Sequence, residues 1–113
     1  MRELTGPDAV ALARAQAARP TPLLLLDVRE PWEVALAAID LPGATTRSMP
    51  MREVPARLAE LDPVQPVLCV CHHGARSAQV VAFLERAGFD SAYNLAGGID
   101  AWSRDVDPGV PRY

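Results

Sequence analysis

Short apolar runs alternating with helix-forming segments predict an α/β protein built on an open, mostly parallel sheet. Two observations carry the prediction. Residues 23–28, apolar but for Asp27, and 67–70 are short apolar runs bounded by proline or charge, as strands covered on both faces read. Each is followed by a helical pattern instead of a hairpin turn, and parallel neighbours need such crossovers. In sheets of this kind ligands bind at the carboxyl ends of the strands. Three such ends are visible: Asp27, Cys71 and the turn at residues 94–98.

The elements follow in order. Residues 9–18 are strongly helix-forming, Pro7 suits a first turn, and Thr5 or Gly6 can cap it. Pro20 and Pro22 end that pattern before the first strand. A short helix is expected over residues 31–38, then a loop through Pro42 and Gly43. A further helix is expected beyond residues 48–51, where Val54, Leu58 and Leu61 fall at helical spacing. After the strand at 67–70 comes a helix over 77–87 with Val80, Val81 and Leu84 as its buried stripe, ended by Gly88. Residues 91–95 give a third strand, Gly97 and Gly98 a turn, and residues 99–104 a last helix holding Trp102. Pro108 and Pro111 keep the tail, 105–113, from extending it.

The 113 residues are expected to form one domain, 1–113, with its core over about 4–104. Half are apolar and 22% charged, the balance of an ordinary globular chain. A net charge of −3 leaves no electrostatic footprint for nucleic acid, so no nucleic-acid partner is expected. All eleven basic residues are arginine, which we read as compositional bias. The first eight residues lack the apolar segment of a signal peptide, and the longest apolar run is far too short to cross a bilayer. Two cysteines make no disulfide framework. We therefore expect a cytoplasmic protein without a membrane partner.

The chemistry concentrates in CVCHHGARS, residues 69–77. Cys71 stands where a buried strand gives way to a loop, and a helix begins shortly after. Backbone N–H groups of such a connection converge on one point, as in anion-binding nests, and the helix N-terminus adds partial positive charge. Both favour thiolate over thiol. An unperturbed cysteine with a pKa of ~8.5 is only about 3% ionised at neutral pH, and a lowering of roughly 2 units makes it mostly thiolate. Ser77 can cap the helix and donate toward the sulfur. Cys69, two residues back on the strand, reads as core. His72 and His73 either line the rim and donate to an anion or are solvated loop residues. Arg76 either touches a substrate anion or forms an ion pair that shapes the loop.

Spacing bears on the alternatives. C-x-C-H-H fits no structural zinc pattern, so no metal is expected, and C-x-C is not the C-x-x-C of a thioredoxin-type pair. A phosphatase or arsenate reductase loop places five residues between cysteine and arginine; here there are four, His72 to Ala75.

These residues resemble the rhodanese family of sulfurtransferases. LLLLDVREPWE, CHHGARS and NLAGGIDAW occur in that family's order, and the resemblance spans residues 4–102. It implies a rhodanese-like fold, a five-stranded parallel sheet with helices on both faces. It implies that Cys71 takes sulfane sulfur from a small anion such as thiosulfate and becomes a persulfide, with no other cofactor. A thiophile then removes that sulfur: cyanide in the test tube, a thiol or protein in the cell. Residues 71–76, with Gly74 and Ala75 between the histidines and Arg76, become the active-site cradle. Asp27, Arg29, Glu30 and Glu33 become a supporting polar set beneath it, and Gly97 and Gly98 permit a close approach of the last loop. Two departures are visible. EVALAAIDLPGA lacks the Gly-His step of many relatives, and the loop carries histidines where some thiosulfate-using members have an extra basic residue. The contrasting expectations are a non-catalytic interaction module and, on the same scaffold, a phosphatase or arsenate reductase.

Overall fold

The computed structural model describes residues 1–113. A five-stranded, wholly parallel sheet runs in the order β1-β5-β4-β2-β3. Its strands are β1 (Arg2–Leu4), β2 (Leu24–Asp27), β3 (Thr45–Ser48), β4 (Val67–Val70) and β5 (Ala92–Leu95). The helices are α1 (Gly6–Gln16), α2 (Pro31–Leu36), α3 (Ala75–Arg86) and α4 (Gly98–Asp105). The predicted α/β class stands, and so does the five-stranded sheet.

Alternation along the two central strands splits the core into two layers. Leu24 and Leu26 of β2, Val67 and Cys69 of β4, and Val28 and Cys71 just beyond the two strands face one side, where Val80, Val81 and Leu84 of α3 cover them. Leu25, Leu68 and Val70 face the other, beneath Ala9 and Ala13 of α1 and Ile99 and Trp102 of α4. Both faces of β2 and β4 are therefore dry, which is why these strands read as apolar runs, broken only by Asp27 at the end of β2.

Two of the five strands, the edge strands β1 and β3, carry no signal of their own, because three residues of Arg-Glu-Leu and a largely exposed Thr-Thr-Arg-Ser show no buried-strand pattern. Two expectations need correction. The helix expected around Val54, Leu58 and Leu61 is instead two 3₁₀ turns, Met51–Glu53 and Leu58–Glu60. Pro55 interrupts it, having no N–H to give to a helical ladder. Val54 and Leu61 are nonetheless buried in the α3-side core. The third helix begins at Ala75, not Ser77. Gly74, at φ +107°, makes the reversal and caps it, so Ser77 lies in the first turn and is not the cap. Thr5 does cap α1, its Oγ1 accepting from the Asp8 N–H at 3.2 Å.

The topology positions the site. β2 leads through α2 to β3 on one side, while β4 leads through α3 to β5 on the other. The connections leaving these adjacent strands diverge, and a crevice opens at their carboxyl ends. Asp27 pairs in register with Val70 there, and Cys71 follows directly.

Candidate active site

Cys71 is 1% exposed and is the first residue beyond β4. Its Sγ accepts the Gly74 N–H at 3.1 Å and the Ser77 N–H at 3.4 Å, with the Ser77 Oγ at 3.2 Å. The loop can turn its N–H groups inward because its carbonyls are held elsewhere. The first N–H groups of α4 take two of them: Ile99 N–H donates to Cys71 O at 2.9 Å and Asp100 N–H to His72 O at 3.1 Å. Gly97 and Gly98, at φ +72° and +61°, make that docking possible. A Cβ on Gly98 would lie 2.5 Å from the Cys71 carbonyl oxygen and closer still to that of His72.

The electrostatics follow from this cradle. Burial works against ionisation of Cys71, but hydrogen bonds from the Ser77 hydroxyl and from the N–H groups of Ser77, Gly74 and Arg76 outweigh it and hold the thiol below its ordinary pKa. Cys69 sits two residues back, fully buried, with no such donors, and burial pushes its thiol well up. Two cysteines two residues apart are thus shifted in opposite directions, the one within the strand upward and the one at its end downward.

A polar layer braces the loop. Arg29 is fully buried, bound to Asp27 through Nε at 2.9 Å and Nη2 at 2.7 Å. It also donates to the carbonyls of Ala37 at 2.7 Å and Glu33 at 3.3 Å, and to the Tyr113 hydroxyl at 3.1 Å. Its donors are thereby satisfied, which a buried guanidinium requires. Glu33 is the N3 residue of α2 and bonds the Glu30 N–H in a capping box. It also grips Arg76 at two points, 2.6 and 2.8 Å. The hydrogen bonds from Arg76 lead in holding the Glu33 carboxyl down at a pKa of about 2. Of the two readings open for Arg76, the ion pair is the one observed. Glu30 itself points outward to Arg52.

The two histidines behave differently. His73 is exposed, whereas His72 is half-buried, stacked on His73 at 3.9 Å and on Tyr113 at 4.0 Å. The His72 Nε2 is buried without a partner. Donor atoms of His72, His73 and Asp100 lie within 4.8 Å of one another, the one grouping with metal-ligand chemistry. It is not arranged as a ligand set, since Asp100 is engaged at two points by Arg112 and the imidazoles lie face to face.

Two residues enter that sequence reasoning did not place in the site. Asn94, buried near the end of β5, accepts from Ser77 Oγ at 2.5 Å and donates to Gly74 O and Glu3 Oε2, both at 3.1 Å. Its position in a strand-end turn was the available signal. Tyr113 reaches the site from the tail, and no local pattern announces a contact with a residue 84 positions away.

Comparison with known proteins bears on the family and the fold. A family described as "Rhodanese-like domain" matches residues 9–105. A "Sulfurtransferase" of Allochromatium vinosum is 40% identical over 88 residues, covering 78% of each chain. The "Rhodanese-like/PpiC domain-containing protein 12, chloroplastic" of Arabidopsis thaliana is 41% identical over 93 residues, 79% of this chain but only 30% of that longer protein. Among solved structures, the polysulfide-sulfur transferase homodimer of Wolinella succinogenes superposes with a TM-score of 0.69 at 31% identity, over 100% of this chain and 78% of that one.

Proposed function

The chain belongs to the rhodanese-like domain family, and from that premise we propose that it is a sulfurtransferase working through a persulfide on Cys71. The observation that carries the reading is the Cys71 sulfur, at the end of a buried strand and surrounded by inward-pointing N–H and O–H donors. The Cys71 thiolate attacks the outer sulfur of a donor such as thiosulfate. A Cys71 S–S bond forms, the donor's S–S bond breaks, and sulfite leaves with the bonding pair. A thiophile, cyanide or a thiolate, then attacks the outer persulfide sulfur, and the Cys71 thiolate leaves. Electrons and atoms balance over the two displacements, so the chemistry calls for no cofactor beyond the cysteine itself.

The residues support each step in physical terms. A depressed thiol pKa raises the thiolate fraction that attacks, and the same low pKa makes Cys71 a good leaving group in the second step. The donors ringing the sulfur stabilise the negative outer sulfur of the persulfide. Arg76, Asp27 and Arg29 act as structural braces, and His72 and His73 meet the anionic end of the donor. The Arg76 guanidinium is committed to Glu33, which weighs against the oxyanion-embracing role it would need in a phosphatase. No helix is long and apolar enough to cross a membrane. We place the protein in the reducing cytoplasm, where Cys71 stays available, with a protein or low-molecular-weight thiol as acceptor.

Intact-mass measurement after incubation with thiosulfate, polysulfide or a cysteine persulfide tests this, with an expected gain of about 32 Da and thiocyanate release on adding cyanide. No sulfur uptake from any of the three donors would leave the chain an interaction module. Turnover of an aryl phosphate without thiocyanate formation would make it a phosphatase.

A further inference from the structure

Tyr113 lies outside the matched domain segment, 9–105, yet it touches the site from two directions. Its ring covers one face of His72, at 4.0 Å and 11° between planes, while His73 covers the other at 3.9 Å and 24°. Its hydroxyl accepts from Arg29 Nη1 at 3.1 Å and donates to Glu33 Oε2 at 2.8 Å, the carboxylate that grips Arg76. The tail is anchored on the domain at several points. Val110 is buried in the α1/α4-side core, Ser103 Oγ donates to the Val110 carbonyl, and Arg112 pairs with Asp100 at 3.0 and 3.1 Å. Trp32 meets the Tyr113 ring edge-on at 6.3 Å.

An imidazole sandwiched on both faces keeps one orientation, and polar contacts are left only to its edge. At that edge Nε2 is buried without a hydrogen-bond partner, and the nearby Asp100 carboxylate is engaged by Arg112, so the imidazole keeps an unmet hydrogen bond. Building on the sulfurtransferase reading, we infer that Tyr113 is a positioning residue for the sulfur donor. It holds the His72 ring in the plane from which Nε2 meets the donor's anionic end, and its hydroxyl ties that ring to the Glu33–Arg76 brace of the loop. The tail is thereby part of donor recognition and leaves the sulfur displacement itself unchanged.

The experiment compares Tyr113→Phe, which keeps the stack and loses the hydroxyl, with Tyr113→Leu, which loses both. His72→Ala and the His72→Ala/Tyr113→Leu double variant complete the set. Tyr113→Leu is expected to raise the KM for thiosulfate about tenfold, the worth of one hydrogen bond to an anion, with kcat within about twofold. Tyr113→Phe keeps the larger part of the affinity. Because Tyr113 acts through His72, the double variant should be no worse than His72→Ala alone. Additive losses in the double variant would overturn the inference, as would an unchanged KM in Tyr113→Leu. So would a parallel fall of kcat and thermal midpoint in both Tyr113 variants, which marks a merely structural tail. Failure of the sulfurtransferase reading looks different, since the wild-type protein itself then takes up no sulfur from any donor.

Discussion

The Ser77 hydroxyl offers its one proton to two acceptors, Asn94 Oδ1 and the Cys71 sulfur. The Ser77 Oγ lies 2.5 Å from Asn94 Oδ1 and 3.2 Å from Cys71 Sγ, and a hydroxyl has a single hydrogen to give. Both Asn94 amide donors are taken, by Gly74 O and Glu3, which fixes Oδ1 toward the serine. The hydroxyl is therefore free to turn to the sulfur when Cys71 is ionised and to Asn94 when it is not.

This arrangement makes the thiolate sensitive to Ser77. In Ser77→Ala the sulfur keeps its N–H donors but loses the hydroxyl. Its pKa then moves up toward the ordinary cysteine range. Alkylation by iodoacetamide at neutral pH should slow by about tenfold, the scale of one charge-assisted hydrogen bond. The sign also bears on stability. A thiol pKa lowered by folding means that the native state sheds its proton first, so stability rises with pH between the native and unfolded values and is lost as pH falls through the native one. An unaltered alkylation profile in Ser77→Ala would show that backbone donors alone activate Cys71.

The two cysteines should separate cleanly. Cys71→Ser is expected to abolish sulfur uptake in the mass measurement. Cys69→Ser should keep transfer while destabilising the fold by about 1–3 kcal/mol, because it buries a hydroxyl within the apolar core between β4 and α3. Loss of transfer in a folded Cys69→Ser protein would give that thiol a role in the exchange.

How much of this was legible in the sequence depends on what each residue touches. β2 and β4 announce themselves because both faces are dry, and Cys71 because it ends one of them. Gly97 and Gly98 were expected to permit a close approach, and the structure places the Cys71 and His72 carbonyls against Gly98. The edge strand β3 was hidden because its residues meet solvent and so carry no apolar signal. The choice between the two roles of Arg76 needed Glu33, 43 positions earlier, to be seen beside it. The helical spacing of Val54, Leu58 and Leu61 misled because apolar contacts survive in a chain that Pro55 keeps from forming a helix.

Glu33 sets an acid limit on the brace. Hydrogen bonds from Arg76 lead in bringing its pKa from 4.5 to about 2. A carboxylate depressed on folding contributes its stability in full above about 4.5, and the contribution is lost as pH falls toward about 2. With the partial exposure of Arg76 discounted, the effect is on the order of 2 kcal/mol. Denaturant unfolding of the wild type and of Glu33→Gln between pH 7 and pH 2 should show a gap of that size at neutral pH that closes on acidification. Parallel curves at every pH would remove Glu33 as the source of the acid sensitivity.

The sharpest constraint on the loop is Gly98, which no contact energy describes because it works by having no side chain. Its φ of +61° is one that residues with a Cβ adopt at a cost, and a Cβ there would press on the two carbonyls that hold the loop open around the sulfur. Gly98→Ala must therefore either shift α4 outward or turn the Cys71 and His72 carbonyls, and both break the Ile99 and Asp100 N–H bonds to them. The expected result is a loss of about 2–4 kcal/mol in stability, the sum of backbone strain and overpacking. Sulfur uptake should fall much further than stability does, since released carbonyls no longer keep the N–H groups pointed at Sγ. Gly88→Ala provides the comparison, because a Cβ there meets nothing within 4 Å although φ is +94°. It should lose stability from strain alone and keep full transfer. If Gly98→Ala retains wild-type sulfur uptake at temperatures where it is folded, the docking of α4 on the loop does not shape the cradle.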